Sequence, residues 1–190
     1  MMEDIILIGY GGHAKSVADC IERQKEFHII GYTDPKEVVS RYPYLGTDDV
    51  LQEYYNKGIR NVVICQGYLG QGNIRERMYE LIKGIGFNLP VIADPSSIIS
   101  KTAVIGEGTF IGKAAIVNAD ASIGKMCIIN TKALIEHECK VGDFAHVAVG
   151  AVICGQVEIE NRAFIGANAT VIQCRKIDHD RIVPAGETVR

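Results

Sequence analysis

The second half of the chain repeats with a period of six residues. From Ile99 to Val189, every sixth position is isoleucine or valine, which gives sixteen branched apolar residues without a gap. Four positions after each branched residue, from Ala103 to Ala169, the side chain is small. An α-helix would spread this period around its surface, and an ordinary strand needs only a period of two. The repeat predicts a triangular parallel β-helix, in which each hexad forms a short strand and a corner and three hexads close one coil.

Two details of the repeat carry further expectations. Glycine follows the branched residue directly at five positions, where a sharply turning chain favours a residue without Cβ. These five residues are Gly106, Gly112, Gly124, Gly142 and Gly166. Near the end of the repeat, Arg175 and Arg181 replace the small residues, so we expect the last hexads to fray or change shape.

The residue before each branched position is expected to point outward, and every third hexad shares a face. The polar face carries Ser122, Lys140, Glu158 and Lys176. The second face carries Phe110, Ile128, His146 and Phe164, and the third face carries Ile116, Leu134 and Val152. Scattered surface hydrophobic side chains are one interpretation. Two apolar faces are more than a soluble monomer normally exposes, which favours a closed homotrimer whose β-helices pack apolar face against apolar face.

The first ninety residues alternate between strand and helix signals. Strands are predicted at 5–9, 27–32, 61–65 and 87–91, and helices after Gly12, at 48–56 and at 73–83. This order predicts an α/β domain with a small parallel Rossmann-like sheet over residues 1–92, followed by the β-helix domain over residues 93–190. Pro90 and the Asp94-Pro95 pair mark the linker.

A glycine-rich loop joins the first strand to the first helix. Backbone N–H groups at Gly11, Gly12 and His13 could hold a pyrophosphate, and Asp34 follows the second strand, where a dinucleotide fold would bind a ribose hydroxyl. An NAD site competes with this interpretation. However, ninety residues supply only half of the doubly wound fold, so a nucleotide-sugar fits better. His13 could contact the sugar or cap the helix.

Charge and cysteine content exclude several classes of protein. The 20 basic and 23 acidic side chains give a formal charge of −3, with no basic stripe for nucleic acid or an anionic membrane. Acidic residues near the start and the break of the apolar run at Gly9 argue against a signal peptide or a spanning segment, so a cytoplasmic location is expected. The six cysteines form no CxxC pair, which disfavours zinc knuckles and thioredoxin-like chemistry.

The repeat from 99 to 189 resembles the hexapeptide-repeat acyltransferases, whose fold is a left-handed parallel β-helix. The order GYGGHA, GYTD, YLGTDDV and then the repeat resembles the sialic acid O-acetyltransferase NeuD family of sugar acyltransferases. In that family the N-terminal domain holds the nucleotide of a UDP-linked sugar. The resemblance therefore implies substrate-binding roles for Gly11, Gly12, His13 and Asp34.

Two histidines stand out in the run from Asn130 to His146. The run resembles the UDP-4-amino-sugar N-acetyltransferases of the UDP-N-acetylbacillosamine type, where an Asn, a His-Glu pair and a second His recur at these spacings. The resemblance implies catalytic roles for His137 and Glu138 and a substrate contact for Asn130. His146 is expected either to contact coenzyme A or to pack at a subunit interface.

The repeat also locates these residues. His137 and Glu138 fall at the corner between the third face and the polar face, so an intersubunit site is expected, with the neighbour's His146 close to its wall. A neutral imidazole can take a proton from an amine, and Glu138 can hold its other nitrogen. Backbone N–H groups near Gly155, one coil further on, are candidate oxyanion donors for a thioester carbonyl.

Together with the resemblance, these residues predict an acetyl-CoA-dependent N-acetyltransferase that acts directly, without a covalent intermediate, on the amino group of a UDP-linked amino-deoxy sugar for glycan or polysaccharide synthesis. A sugar O-acetyltransferase of the sialic acid type is one alternative, and a non-catalytic trimeric nucleotide-sugar-binding scaffold is another. No metal is expected, because a zinc site like that of β-helical carbonic anhydrases needs three histidines and His179 lies more than two coils from His137.

Overall fold

The computed structural model describes residues 2–68 and 72–190 and contains two compact units. The first unit spans the residues up to Gly67 together with Asn73–Pro90. The second unit spans Val91–Arg190 together with Tyr68 and Gly72. The change of unit after Pro90 lies close to the linker inferred from the sequence.

The first unit is a four-stranded parallel sheet flanked by helices. In chain order its elements are β1 (Glu3–Ile8), α1 (Gly12–Gln24), β2 (Phe27–Thr33), β3 (Tyr44–Gly46), a 3₁₀ turn (Asp48–Val50), α2 (Leu51–Asn56), β4 (Asn61–Ile64) and α3 (Ile74–Ile85). The strand order is β3-β2-β1-β4, and the last four residues of β1 are buried. A fully apolar strand such as IILI suits this central position, because side chains on both of its faces must leave water.

Three boundaries in this unit differ from the sequence-based expectations. The strand β3 was missed because it has only three residues, too few to show an alternating pattern. The predicted helix 48–56 is a 3₁₀ turn followed by α2. The strand predicted at 87–91 is reduced to one isolated bridge between Asn61 and Asn88.

The second unit is a parallel β-helix of about five coils built from two-residue strands. The strands are β5 (Ile92–Ala93), β6 (Ile98–Ile99), β7 (Val104–Ile105), β8 (Phe110–Ile111), β9 (Ile116–Val117), β10 (Ser122–Ile123), β11 (Ile128–Ile129), β12 (Leu134–Ile135), β13 (Lys140–Val141), β14 (His146–Val147), β15 (Val152–Ile153), β16 (Glu158–Ile159), β17 (Phe164–Ile165), β18 (Thr170–Val171), β19 (Lys176–Ile177), β20 (Ile182–Val183) and β21 (Thr188–Val189).

Strands three hexads apart pair in parallel and form three sheets. Their orders are β19-β16-β13-β10-β7, β20-β17-β14-β11-β8-β5 and β21-β18-β15-β12-β9-β6. The predicted repeat is therefore confirmed, and it begins one hexad earlier than the sequence indicated, because Ala93 replaces the branched residue in β5. The expected fraying does not occur: the strands continue in register to Val189, with Arg175 and Arg181 exposed.

The inward side chains form the core of the β-helix. The branched residues and the small residues two positions before them are buried, as Ala133, Ile135 and Cys139 illustrate with no exposed surface. Small and large side chains alternate around each coil and together pack the interior. Functional side chains must consequently lie on the outside, at the corners or on the faces.

The corners turn in a way that the glycine pattern did not predict. The residue in the left-handed conformation is the third after the branched position, and it is often not glycine, as Ala114, Asp120 and Glu138 show. Gly106 instead allows neighbouring coils to approach, because a Cβ there would lie 2.5 Å from the backbone of Gly124 and Lys125. Close approach, and not backbone conformation, explains this glycine.

Three of the four named side chains of the second face are buried and Phe164 is half-buried, which corrects the expectation of two exposed apolar faces. Phe110, Ile128 and His146 are only 4%, 1% and 7% exposed. Tyr68 of the same unit lies against His146. The periodicity identifies outward positions but carries no information on which segments fold over them. On the third face, Ile116, Leu134 and Val152 remain half-buried.

Among the described residues, no helix combines the length and the apolar character that crossing a membrane requires.

The close approach of the coils makes a testable prediction. Gly106→Ala should lower the free energy of unfolding by about 1–3 kcal/mol, because backbone atoms of the next coil cannot move aside for a Cβ. Gly84→Ala is the control, since Gly84 lies in α3 with open space around its Cα and alanine favours a helix. Urea unfolding followed by circular dichroism measures both. Equal stability of Gly106→Ala and the unmodified protein would contradict the packing argument.

Candidate active site

The corner between β12 and β13 holds His137 and Glu138 on a fixed backbone. The N–H of Glu138 donates to the carbonyl of Ala119 in one neighbouring coil at 2.9 Å. The carbonyl of His137 accepts from the N–H of Gln156 in the other neighbouring coil at 3.0 Å. Because backbone hydrogen bonds hold this corner from both sides, the two side chains project from a constrained position.

The two side chains form the predicted pair. Nδ1 of His137 lies 3.0 Å from Oε2 of Glu138, and both side chains are about half exposed, at 55% and 52%. A carboxylate oxygen only accepts, so the neutral imidazole places its proton on Nδ1 and leaves Nε2 with a free lone pair. The ring thus holds the tautomer that a general base requires.

Gly155 of the next coil lies directly against this ring. A Cβ built on Gly155 would lie 2.7 Å from both Cε1 and Nε2 of His137. Within residues 2–68 and 72–190, the N–H of Gly155 has no acceptor. The structure therefore places Gly155, whose backbone N–H is unpaired within the described residues, beside the His137 ring.

His146 and Asn130 also come together, in a largely buried cluster. Nδ1 of His146 lies 2.6 Å from the carbonyl oxygen of Tyr68, and Nε2 lies 3.3 Å from Nδ2 of Asn130. The Oδ1 of Asn130 accepts from the N–H of Thr131, which leaves the amide nitrogen as donor to His146. The edge of Phe164 packs on the imidazole with ring centroids 5.0 Å apart. Both nitrogens of His146 thus have partners inside the chain.

In the first unit, the glycine-rich loop leads from β1 into α1. Gly9 adopts a positive φ of 84°, and Gly11 occupies the N-cap position of α1 without any side-chain cap. Space is open where a Cβ of Gly11 or Gly12 would lie. Helix N-terminal N–H groups that face open space are suited to an anionic ligand such as a pyrophosphate. His13 follows in the first turn of the same helix.

Asp34 reaches back to this loop. Its Oδ2 accepts from the N–H of Tyr10 at 2.9 Å, and its Oδ1 accepts from the N–H of Lys36 at 3.4 Å. The predicted set Gly11, Gly12, His13 and Asp34 therefore converges at the carboxyl ends of β1 and β2. The carboxylate already orders the loop backbone, a role that the sequence did not indicate.

Two cysteines of the β-helix are part of its core. Cys127 and Cys139 are buried, and their thiols donate to the carbonyls of Gly142 and Cys154 at 3.1 Å. Burial raises the pKa of the Cys139 thiol, which disfavours the nucleophilic thiolate. Among the described residues, no group of three or more His, Cys, Asp or Glu side chains is placed to hold a metal ion.

Sequence reasoning missed two residues at these clusters. Gln156 donates from Nε2 to Oε2 of Glu138 at 3.2 Å. Tyr68 provides the carbonyl for His146, and its hydroxyl donates to the carbonyl of Arg162 at 2.8 Å. The spacing of eighteen from Glu138 could have identified Gln156, whereas nothing in the sequence around Tyr68 indicates its contact with β14.

The Asn130–His146 pair yields a second prediction. Asn130→Ala should lower the free energy of unfolding by about 1–3 kcal/mol, because the largely buried Nε2 of His146 loses its donor. Asn118→Ala is the matched control: Asn118 occupies the same hexad position two hexads earlier, and its side chain makes no hydrogen bond to the described residues. Chemical denaturation measures both, and equal losses for the two variants would contradict the assigned bond.

Comparison with known proteins gives concordant matches. Residues 4–82 match the family described as the PglD N-terminal domain. The chain is 30% identical over 135 residues to GDP-perosamine N-acetyltransferase from Escherichia coli O157:H7, covering 71% of this chain and 59% of that protein. It is 33% identical over 114 residues to UDP-N-acetylbacillosamine N-acetyltransferase from Bacillus subtilis (strain 168), covering 58% and 51%. The matches thus span little more than half the length of these curated relatives.

A solved structure matches over a larger share. It is the crystal structure of a histidine-to-alanine mutant of GDP-perosamine N-acetyltransferase from Caulobacter crescentus in complex with CoA and GDP-perosamine. The TM-score is 0.93 at 30% sequence identity, covering 100% of this chain and 90% of that chain.

Proposed function

This chain belongs to the family of sugar N-acetyltransferases that join a PglD N-terminal domain to a hexapeptide-repeat β-helix, and from that premise we propose that it transfers the acetyl group of acetyl-CoA to the amino group of a nucleotide-linked amino-deoxy sugar. The observation that carries the proposal is the corner at which His137, oriented by Glu138, lies beside Gly155 of the next coil. Neither a binding scaffold nor a structural repeat needs this arrangement.

In the proposed reaction, His137 is the general base. The sugar amine attacks the thioester carbonyl carbon while Nε2 of His137 takes the amine proton, and Glu138 stabilises the resulting imidazolium through Nδ1. The C–S bond then breaks, and the imidazolium returns the proton to the leaving coenzyme A thiolate. The pair ends in its starting protonation state, so direct transfer requires no covalent enzyme intermediate.

The developing oxyanion needs a donor, and Gly155 supports that role. Its backbone N–H lacks an acceptor within the described part of the chain and lies beside the ring that removes the proton. A fixed backbone donor stabilises charge in the transition state without reorganising, which is the largest contribution in many acyl transfers. His146 contributes to the coenzyme A site by holding Asn130 and Tyr68 in place, since its own nitrogens are engaged.

The first unit is proposed to hold the nucleotide of the acceptor. The open N-terminus of α1 with Gly11 and Gly12 suits the pyrophosphate, and His13 and Asp34 border the same loop. A UDP-linked sugar is the acceptor expected from the sequence. The GDP-linked sugar bound by the relative that covers the whole chain supports a second candidate of the same class.

A homotrimer remains part of the proposal, and its support comes from the apolar third face alone. Leu134 and its neighbours on the third face are half-buried apolar side chains, and His137 stands at the edge of this face. Packing the third face against another copy would place that copy beside the catalytic pair. Each active site would then be completed between two subunits.

A thiol-release assay tests the reaction. Acetyl-CoA is combined with UDP-linked and GDP-linked amino sugars and with matched sugars that carry only hydroxyl groups. We expect release only with amino sugars, and His137→Ala should lower kcat by roughly 10²- to 10⁴-fold. His179→Ala, at the equivalent position of a later corner, is the control and should retain activity. Turnover only with hydroxyl sugars would favour O-acetyl transfer, and no turnover with any sugar would favour a scaffold.

The assembly is tested separately by light scattering. Leu134→Asp should dissociate the trimer, because it would bury an unpaired carboxylate in the proposed interface. Val104→Asp is the control: Val104 occupies the equivalent strand position on the polar face and is already 65% exposed, so assembly should survive. If the unmodified protein scatters as a monomer, the intersubunit site is wrong.

A further inference from the structure

A column of hydrogen-bonded side chains runs up the corner that carries the proposed base. Glu138, Gln156 and Cys174 are stacked eighteen residues apart, and all three adopt the left-handed conformation, with φ of 59°, 60° and 58°. Gln156 donates from Nε2 to Oε2 of Glu138 at 3.2 Å. Cys174 donates from Sγ to Oε1 of Gln156 at 3.4 Å. The column therefore connects three successive coils.

The partners in these hydrogen bonds determine the orientation of the Gln156 side-chain amide. Because a carboxylate oxygen only accepts, the amide nitrogen of Gln156 must face Glu138, and Oε1 is left to accept from the thiol of Cys174. Oε2 of Glu138 consequently accepts two bonds, one from Nδ1 of His137 and one from Gln156. The side chains of His137 and Glu138 are both about half exposed and would otherwise rotate freely, at an entropic cost whenever the pair forms. A second donor restricts the carboxylate to the orientation that holds the imidazole.

Gly155 restricts the same pair sterically. Among the corner positions equivalent to His137, which recur every six residues from Lys101 to Ala185, Gly155 is the only glycine. Its φ is not positive, so the backbone itself does not require glycine. What requires glycine is the His137 ring, because a Cβ would lie 2.7 Å from Cε1 and Nε2. The absence of a Cβ lets Cε1 and Nε2 of the imidazole approach the next coil.

We propose that Gly155 and Gln156 are positioning residues of the next coil: Gly155 leaves the space in which the His137 ring lies, and Gln156 holds the Glu138 carboxylate that orients the ring. This inference rests on the proposed function, in which His137 is the base. It assigns Gly155 a second role, since the space requirement is separate from the oxyanion role of its N–H. Gln156 acts only through Glu138 and contacts no substrate.

Steady-state kinetics of a double-mutant cycle test the role of Gln156. Gln156→Met keeps the side-chain length and removes both hydrogen bonds, so kcat should fall roughly 3- to 10-fold with both KM values unchanged. In the Glu138→Ala background the same substitution should cost nothing, because the partner is gone. Lys132→Met, at the left-handed position of another corner, is the control and should match the unmodified enzyme. Equal losses in both backgrounds, or no loss in either, would overturn the proposal.

Gly155→Ala tests the space requirement separately. It keeps the backbone N–H but displaces the ring, so kcat should fall while circular dichroism stays unchanged; unchanged kcat would overturn this part.

Nitrogen NMR of the imidazoles provides a readout independent of turnover, with His137 assigned through His137→Ala. The Nδ1–H tautomer should dominate for His137 in the unmodified protein and lose share in Gln156→Met. If no sugar is acetylated, the proposed function is wrong, but the tautomer populations still test the positioning role. Equal populations in the unmodified protein and in Gln156→Met would overturn that role.

Discussion

The parallel backbone hydrogen bonds that link each coil to the next are the interaction on which the rest of the molecule depends. They repeat at a separation of eighteen residues along the strands, as between Leu134 and Val152. Similar bonds to both neighbouring coils hold the corner that carries His137. Because the two-residue strands are too short to be stable alone, each coil exists only through its neighbours. The position of every functional side chain in the β-helix follows from this register.

The corners show how this register accommodates residues in an unfavourable backbone conformation. Glu138 and Gln156 adopt left-handed φ values, a conformation that costs a non-glycine residue roughly 1–2 kcal/mol. Each compensates by donating its N–H to a carbonyl of the preceding coil, at 2.9 and 3.0 Å. The left-handed turn also directs the side chain outward beside its stacked partner. The conformation that strains the backbone is thus the one that brings the carboxylate to the imidazole.

The sequence predicted the part of the fold that repetition determines. Sixteen branched residues in one register identify the inward positions, the three faces and the corner of His137, because each follows from counting along the chain. What counting cannot predict is contact with residues outside the repeat. His146 was expected on an exposed face, yet Tyr68 covers it. The short strand β3 was missed and the strand at 87–91 was wrongly predicted for a related reason, since strand pairing depends on partners and not on local pattern.

In the candidate site, too, some contacts could be predicted from the sequence and others could not. The His137–Glu138 pair and the proximity of Gly155 follow from residue types at known spacings, and the Asp34 contact with the glycine loop agrees with a general rule for parallel sheets. Gln156 was overlooked because glutamine carries no chemical signature of its own. Its significance becomes visible only when it is placed one coil above a carboxylate. Hydrogen-bond partners of this kind require coordinates.

The uninterrupted register has a consequence for how such a molecule can be varied. From β6 to β21 every strand is spaced by the same six residues, so adding or deleting a residue inside a strand would shift all later side chains by one position. Replacing an outward corner residue leaves the register untouched. A combinatorial library restricted to the corner positions would therefore change the side chains presented to a ligand while the backbone and its register stay the same.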